Sequence, residues 1–219
     1  MSEAAPTQDP DQIAMRLALD QAHNAWLVGE VPVGAVIVRH GPGGPQVIAT
    51  GYNRPITTHD PTAHAEIVAL RHAAGLLENY RLADCDLYVT LEPCAMCAMA
   101  LMHARLRRVV FAAPDPKTGV AGSVLDLFAV PQLNHHTEVR GGLLADPCAR
   151  LLREFFAERR AAQKALQQAR REAAGGHLPG DAAGKPPVAA PASPAPTSHL
   201  PTGDATELSP DSFPPLEPP

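Results

Sequence analysis

Residues 87–112 have the sequence LYVTLEPCAMCAMALMHARLRRVVFA. The apolar run at 87–91 is typical of a strand that is buried on both faces of a sheet. Residues 94–104 predict a helix and residues 108–112 a second strand. A strand, a helix and a strand in this order indicate a parallel crossover, in which the helix packs on one face of the sheet.

The flanking sequence continues the alternation of helices and strands. Residues 11–29 and 62–74 predict helices, and residues 33–38 and 46–51 predict a β-hairpin around the Gly- and Pro-rich turn at 40–45. Downstream we expect a short helix at 123–128, a weak strand at 137–139 and a long helix at 146–174. The chain is therefore assigned to the α/β class.

Two cysteines three residues apart lie at the start of the helix predicted at 94–104, just after the strand predicted at 87–91. Cys94 and Cys97 follow Pro93 directly. In the first turn of a helix this spacing aims both sulfurs at one point, and the positive end of the helix dipole favours thiolates there. A metal pair and a redox dithiol both fit this pattern, and the third interpretation is two small core residues.

A third metal ligand is offered by the sequence His64-Ala65-Glu66 at the start of the other predicted helix. A second copy, His136-Thr137-Glu138, falls in the weak strand, where period-2 alternation places both its His and its Glu on the solvated face. Only the first copy can meet the cysteines at a helix N-terminus. Glu66 would then face a water bound to the metal.

The ligand count indicates a catalytic site. Cys85 begins the central strand, so it lies about 20 Å from the cysteine pair, and Cys148 is interpreted as a buried apolar residue. One His and two Cys suit zinc. Three protein ligands and one open position are typical of a catalytic zinc ion rather than a structural one.

Composition changes near residue 175. Residues 175–219 hold 12 of the 24 prolines and carry a net charge of −4, which leaves −1 for residues 1–174. We predict one folded, zinc-dependent domain at 1–174 and a disordered, acidic Pro/Ala-rich tail at 175–219. Residues 150–172 are the basic exception, with a net charge of +4.

Several classes of protein are disfavoured. The longest apolar run, from Cys94 to Met102, is half as long as a membrane helix requires. The first residues have neither the basic flank nor the apolar stretch of a secretory signal. We therefore expect a cytoplasmic protein that does not enter a membrane and in which the four cysteines are not a disulfide framework.

The His-x-Glu and Pro-Cys-x-x-Cys motifs together resemble those of the cytidine deaminase-like zinc deaminases. Further stretches are similar to the bacterial tRNA-specific adenosine deaminases in particular, over about residues 10–165. They are Glu30-Val31-Pro32-Val33-Gly34-Ala35, Asn53-Arg54-Pro55-Ile56, residues 59–67, Leu91-Glu92-Pro93-Cys94 and Asp115-Pro116-Lys117-Thr118-Gly119. Pro114 and Pro116, on either side of Asp115, depart from the residue types expected in this family.

The resemblance implies a three-layer α/β/α fold with a mixed five-stranded sheet. It implies a homodimer that binds the anticodon arm of tRNA across its interface and holds one Zn²⁺ per chain. The implied reaction is hydrolytic deamination of the wobble adenosine to inosine, by a zinc-activated water with Glu66 as the proton shuttle.

The resemblance also implies roles for residues outside the metal motif. Asn53 would hydrogen-bond the flipped adenine, and the backbone of Ala65 and Pro93 would frame it. Asp115 would lie beside the substrate sugar, and Phe156 would pack near the neighbouring nucleotides. Read by their residue types alone, Asn53 fits a turn, Asp115 a loop cap and Phe156 a core position.

Two other functions fit the same residues. A deaminase of a free base or nucleotide, such as cytosine or guanine, would use the same zinc ligands and Glu66, because these are indifferent to the ring presented. A non-catalytic zinc or redox module would need only part of the pattern, and a thioredoxin-like Cys-x-x-Cys would require neither His64 nor Glu66.

Overall fold

The computed structural model describes residues 9–175 of the chain, so the predicted disordered tail lies, from residue 176 onward, outside the described residues. The elements in chain order are α1 (Pro10–Leu27), β1 (Gly34–Gly41), β2 (Gly44–Tyr52), α2 (Pro55–Thr58), α3 (Ala65–Leu77), β3 (Cys85–Leu91), α4 (Ala95–His103), β4 (Arg108–Ala113), β5 (Glu138–Gly141) and α5 (Ala145–Gly175). No helix in the described part of the chain is long and apolar enough to cross a membrane.

The five strands form one mixed sheet in the order β2-β1-β3-β4-β5. The hairpin strands β1 and β2 are antiparallel, β1 and β3 are also antiparallel, and β4 is parallel to both β3 and β5. The parallel crossover from β3 through α4 to β4 is therefore confirmed. It places the start of α4 at the carboxyl end of β3.

Apolar residues fill both faces of the sheet, which gives the three layers predicted from the resemblance. On one face, Met15 and Ala18 of α1 pack with Tyr88 of β3 and Cys148 of α5. On the other face, α3 and α4 cover a second core whose fully buried members include Ile37, Leu87 and Leu101. Because β3 contributes to both cores, all but its last residue are buried, as its continuous apolar pattern predicts.

Two glycines allow helices to lie directly on the hairpin strands. A Cβ atom at Gly34 would come within 2.1 Å of the Ala18 carbonyl oxygen, and one at Gly51 within 2.5 Å of the Ala65 carbonyl oxygen. Both of these oxygens belong to helix backbone, which cannot move aside without distorting the helix. Gly51 thus fixes the first turn of α3, and the residues that begin it, against β2.

The helix predicted at 123–128 is wrong. This segment is a series of turns that contains an isolated bridge between Ala121 and Asp126. In a helix over 123–128 the amide of Leu127 would donate to the Ser123 carbonyl, but it donates instead to the Val120 carbonyl at 2.9 Å. Gly122 has a φ of +119°, which a right-handed helix does not allow. The short helix α2 was not predicted.

Candidate active site

The sulfurs of the cysteine pair and the ring of His64 meet at the N-termini of two helices. His64 is the N-cap of α3, Cys94 is the N-cap of α4, and Cys97 lies in the first turn of α4. His64 Nδ1 is 3.7 Å from Cys94 Sγ and 3.6 Å from Cys97 Sγ. All three ligand atoms lie within 4.8 Å of one another, which is close enough for one metal ion to contact them all.

The turn before α3 holds His64 in place. The Asp60 carboxylate accepts hydrogen bonds from the backbone amide and the hydroxyl of Thr62, at 2.8 and 2.7 Å. The amide of His64 then donates to the Thr62 carbonyl at 2.8 Å. Arg71, from the second turn of α3, donates to Asp60 and so ties this turn back to the helix. The extended backbone of His64, with a ψ of 156°, turns its side chain toward α4.

The electrostatics of the two cysteines favour a cation between them. Hydrogen bonds from the Cys97 thiol and from His64 lower the pKa of Cys94 to about 4. Donation of its proton to Cys94, together with burial, raises the pKa of Cys97. The two sulfurs thus share one proton, at a place that a divalent ion can take instead. The soft donor set of one imidazole and two thiolates fits zinc.

Glu66 is a buried carboxyl group two residues after the ligand His64. Its side chain lies in the first turn of α3, only 4% of the residue is exposed, and it lines the same cleft as His64 and Cys94. Burial raises the pKa of Glu66 to about 7. A carboxyl group with such a pKa can both accept and release a proton near neutral pH, as a general acid–base catalyst must.

The cleft above these residues has a volume of about 950 Å³. Its walls come from α2, the loops before α3 and after β4, and the first half of α5. Most of its lining is apolar, with a few polar groups near the metal ligands, as is usual for a small-molecule or nucleobase pocket.

Asn53 lies beside the start of α3. Its Oδ1 accepts a hydrogen bond from the Ala65 amide at 2.9 Å, and 9% of the residue is exposed. The side-chain NH2 group therefore remains as the donor that Asn53 can offer to the cleft. Ala65 and Pro93 are buried next to lining residues rather than lining the cleft themselves, so their framing of a base stays a prediction.

Asp115 lies on the loop after β4 and lines the cleft together with Pro114 and Pro116. Its carboxylate accepts hydrogen bonds from the Lys117 amide at 2.9 Å and from the Thr118 hydroxyl at 2.6 Å. These contacts fit the loop cap expected from residue type alone. They also hold the side chain in one orientation at the edge of the cleft, so its contact with a substrate sugar stays a prediction.

The two adjacent aromatics of α5 have different surroundings. Phe155 is 4% exposed and makes an edge-to-face contact with Trp26 at a centroid distance of 5.5 Å. Phe156 is 43% exposed and lines the cleft. Phe155 therefore docks α5 against α1, and Phe156 is placed where a substrate can reach it.

The remaining cysteines and the second His-x-Glu copy lie outside the site. Cys85 and Cys148 are buried in the two cores. His136 and Glu138 are exposed while Thr137 between them is buried, as the alternation predicted.

Two buried carboxylates that shape the cleft were not singled out from the sequence. Glu30 is 1% exposed, and its Oε1 accepts from the Thr57 amide at 2.7 Å, which holds α2 at the rim. Glu92 is 3% exposed and accepts several hydrogen bonds from the loop that carries Asp115. The available signal was an acidic residue at the end of an apolar run, one or two positions before a proline.

A family model of the cytidine and deoxycytidylate deaminase zinc-binding region matches residues 8–113. The chain is 46% identical over 164 residues to the tRNA-specific adenosine deaminase of Haemophilus influenzae, which covers 75% of this chain and 93% of that protein. It is 40% identical over 158 residues to the enzyme of the same name from Bacillus subtilis. This match covers 72% of this chain and 96% of that protein. The resemblance drawn from the motifs is confirmed.

Solved structures agree with these relatives. One from a study of A-to-I editing by tRNA:A34 deaminases at the wobble position has a TM-score of 0.60 and 44% identity, and covers 64% of this chain and 99% of its own. A guanine deaminase from Nitrosomonas europaea has a TM-score of 0.54 and 27% identity. This match covers 72% of this chain and 87% of that structure's chain. The three-layer fold is thus shared with deaminases of two substrate types.

Proposed function

Since this chain belongs to the tRNA-specific adenosine deaminases, a zinc-dependent hydrolase family, we propose that it deaminates adenosine to inosine at the wobble position of tRNA. The observation that carries this proposal is the convergence of His64, Cys94 and Cys97 beneath a cleft that Glu66 also lines. His64, Cys94 and Cys97 hold one zinc ion per chain. When bound, zinc supplies Lewis acidity that makes a water nucleophilic near neutral pH.

Glu66 moves the protons. Its carboxylate accepts a proton from the attacking water and passes it to N1 of the adenine ring. It then takes the second proton from the oxygen added at C6 and delivers it to the amino group, which leaves as ammonia. Burial, which raises the pKa of Glu66 to about 7, fits a group that is alternately base and acid.

Asn53 and Asp115 orient the substrate in this proposal. The NH2 group of Asn53 donates to the flipped base, since its Oδ1 is held by Ala65. Asp115 lies beside the sugar, and the exposed ring of Phe156 packs against a neighbouring nucleotide, because every base presents a stacking face.

A basic stripe on α5 supports RNA rather than a free base as the substrate. We define it as Arg153, Arg160, Lys164 and Arg171, all exposed. At 100° per residue these four positions fall within about 20° of one line, and they extend over about 27 Å of helix. Arg153 and Arg160 line the cleft, so the stripe runs outward from it. Glu154, Glu158 and Glu172 of the same helix face about 100–140° away, and Asp146, at the start of the helix, lies within about 20° of the line.

Arg159 does not belong to this stripe, although it is basic and exposed. Its guanidinium donates to the Gly29 carbonyl at 3.1 Å and lies 5.3 Å from the centroid of Phe155. Arg159 therefore fastens α5 to the end of α1, and neutralising it would disturb the fold rather than report on RNA binding.

The proposal includes a homodimer that binds the anticodon arm across its interface and acts in the cytoplasm, where tRNA is modified. Met96, Met99 and Ala100 of α4 form a partly exposed apolar face that supports a second copy as partner. Light scattering checks this state: a mass of two chains supports the dimer, and a mass of one chain contradicts it.

The organisation of the chain is also a proposal. We assign residues 1–174 to the deaminase domain and residues 175–219 to a disordered tail that takes no part in the reaction. The Pro-rich, acidic composition of the tail supports this division.

Inosine formation tests the proposed substrate. Purified bulk tRNA, free adenosine, free guanine and free cytosine are each incubated with the zinc-loaded protein, and inosine, other deamination products and ammonia are measured. We expect inosine in tRNA and far slower turnover of the free compounds, because remote contacts position the transition state. Faster turnover of guanine than of tRNA would assign the chain to the reaction of its guanine deaminase neighbour.

Adjacent arginines test the basic stripe. Arg171 lies on the stripe and Arg170 about 100° from it, at the same distance from the cleft. We expect Arg171→Ala to shallow the slope of log affinity against log salt by up to about one, and Arg170→Ala to leave it unchanged. Equal slopes for the two variants would contradict a role of the stripe in RNA binding.

A further inference from the structure

The loop of residues 114–123 forms one wall of the cleft and is fastened to the strand end that carries Cys94. Glu92 Oε1 accepts from the amides of Ala121, at 2.8 Å, and Ser123, at 3.1 Å. Glu92 Oε2 accepts from the amide of Asp115, at 2.9 Å, and from the Ser123 hydroxyl. One carboxylate therefore gathers four donors from both ends of the loop.

The backbone next to Glu92 adds two further ties. The Val120 amide donates to the Pro93 carbonyl at 3.0 Å, and Cys94 forms an isolated β-bridge with Gly119. A Cβ atom at Gly119 would lie 2.4 Å from the Glu92 carboxyl carbon and 2.6 Å from the Asp115 carbonyl oxygen. The carboxylate thus lies flush against the loop backbone, where only glycine leaves room for it.

Pro114 and Pro116 occupy positions whose backbone amides would not donate to Glu92. The amide of Asp115, between Pro114 and Pro116, is the one that donates to Glu92. Each proline fixes its own φ without removing one of these hydrogen bonds. The two residues that depart from the family pattern therefore stiffen the segment that Glu92 holds.

All four acceptor directions of the Glu92 carboxylate are taken by donors of the loop, so this group has no lone pair left for a substrate proton. We propose that Glu92 is a positioning residue: it sets the distance between Asp115, on the substrate side of the cleft, and Cys94, on the metal side. In this way it holds the sugar of the target nucleotide in register with the metal site. This inference rests on the proposed function, in which Asp115 contacts that sugar.

Glu92→Gln is the central variant of the test. It keeps the shape of the side chain, but in either orientation its NH2 group faces at least one backbone N–H, so the loop contacts cannot all form. Glu158→Gln, at an exposed position of α5, is the matched control. We expect Glu92→Gln to keep about one zinc per chain and its KM, while kcat falls by about 10- to 100-fold from misplacement of the substrate.

A double-mutant cycle separates positioning from general damage. If Glu92 acts through Asp115, adding Glu92→Gln to Asp115→Ala should lower kcat no further than Asp115→Ala alone. Losses that multiply in the double variant, loss of zinc from Glu92→Gln, or full activity of Glu92→Gln would each overturn the proposal. Ser123→Ala, which removes only one of the four donors, should give a smaller loss in the same direction and serves if Glu92→Gln does not fold.

Hydrogen exchange gives a readout that does not depend on catalysis. The amides of Asp115, Ala121 and Ser123 should exchange faster in Glu92→Gln than in the parent protein, and equally fast in the parent and Glu158→Gln. Unchanged exchange in Glu92→Gln would refute the inference whatever the substrate is. Faster exchange in a protein that does not deaminate RNA would instead place the failure in the proposed function.

Discussion

Strand β3 has a cluster of buried polar side chains at each end, and the two clusters are built on opposite plans. At its amino end Asp86, fully buried, accepts from Arg107 at 2.5 Å and from Arg108 Nε at 3.0 Å. Arg108 also forms a two-point contact with Asp11, at 2.7 and 2.8 Å, and the Tyr88 hydroxyl donates to Asp11. Hydrogen bonds from Arg108 lower the pKa of Asp11.

At the carboxyl end the titratable side chains lie close together but, in the part of the chain that the structure describes, do not form ion pairs with arginine, as those of the first cluster do. The ligand atoms of His64, Cys94 and Cys97 lie within 4.8 Å of one another, and burial raises the pKa of Glu66 to about 7. In the first cluster opposite charges are paired, although the buried Oδ1 of Asp86 accepts no hydrogen bond from the described residues. Paired charges hold a fold together, whereas polar groups left unpaired can hold a metal and move protons. The first cluster, which we call the closed cluster, joins α1 to the sheet and consists of Asp11, Asp86, Tyr88, Arg107 and Arg108. The second, which we call the open cluster, faces the cleft and consists of His64, Glu66, Cys94 and Cys97.

Removing a metal ligand should break the open cluster most completely. We expect Cys97→Ser to lose zinc and all measurable activity, because a serine hydroxyl stays protonated at neutral pH and is a poor zinc ligand. Elemental analysis and the deamination assay check this. Cys148→Ser, a buried cysteine outside the site, is the control and should keep the metal. A metal-free Cys97→Ser protein with full activity would rule out the zinc mechanism.

Breaking the closed cluster should change stability instead of chemistry. Asp86→Ala leaves the buried guanidinium of Arg108 without this partner, and we expect it to lower the free energy of unfolding by about 3–5 kcal/mol. In urea denaturation the control Glu138→Ala, which breaks an exposed ion pair with Arg140, should cost no more than about 1 kcal/mol. The kcat of the folded, zinc-loaded Asp86→Ala protein should equal that of the parent. A fall in kcat of tenfold or more would mean that the two clusters are coupled.

Removing the tail should have the smallest effect. A chain that ends after Ala174 keeps both clusters, so its melting temperature and its deaminase activity should match those of the full chain within error. Calorimetry and the tRNA assay check both. A sharp drop in either would contradict the assignment of residues 175–219 to a disordered segment without a part in the reaction.

The open cluster was easier to predict from the sequence than the closed one. Zinc ligation demands particular residue types at fixed spacings from helix N-termini, so His64, Cys94 and Cys97 are visible in the sequence alone. The parallel crossover was equally visible, because the apolar run at 87–91 and its helix leave few arrangements. The partnership of Asp11 with Arg108 joins residues 97 positions apart, and no local pattern encodes it.

The loop after β4 was the part that sequence reasoning described wrongly. A short helix was predicted there at 123–128. The loop is shaped instead by contacts with Glu92, which lies outside it and accepts hydrogen bonds from the amides of Ala121 and Ser123. A contact between a buried carboxylate and a distant backbone can override local propensity, and it leaves no periodic signal.

In the proposed mechanism Glu66 moves protons and does not bind the metal. Glu66→Gln is nearly isosteric and removes only the ability to take and release a proton. Zinc content, melting temperature and the rate of inosine formation are measured on the same preparation. We expect about one zinc per chain, an unchanged melting temperature and a rate at least about 100-fold lower. Loss of zinc from Glu66→Gln, or retention of the full rate, would contradict the proposed mechanism.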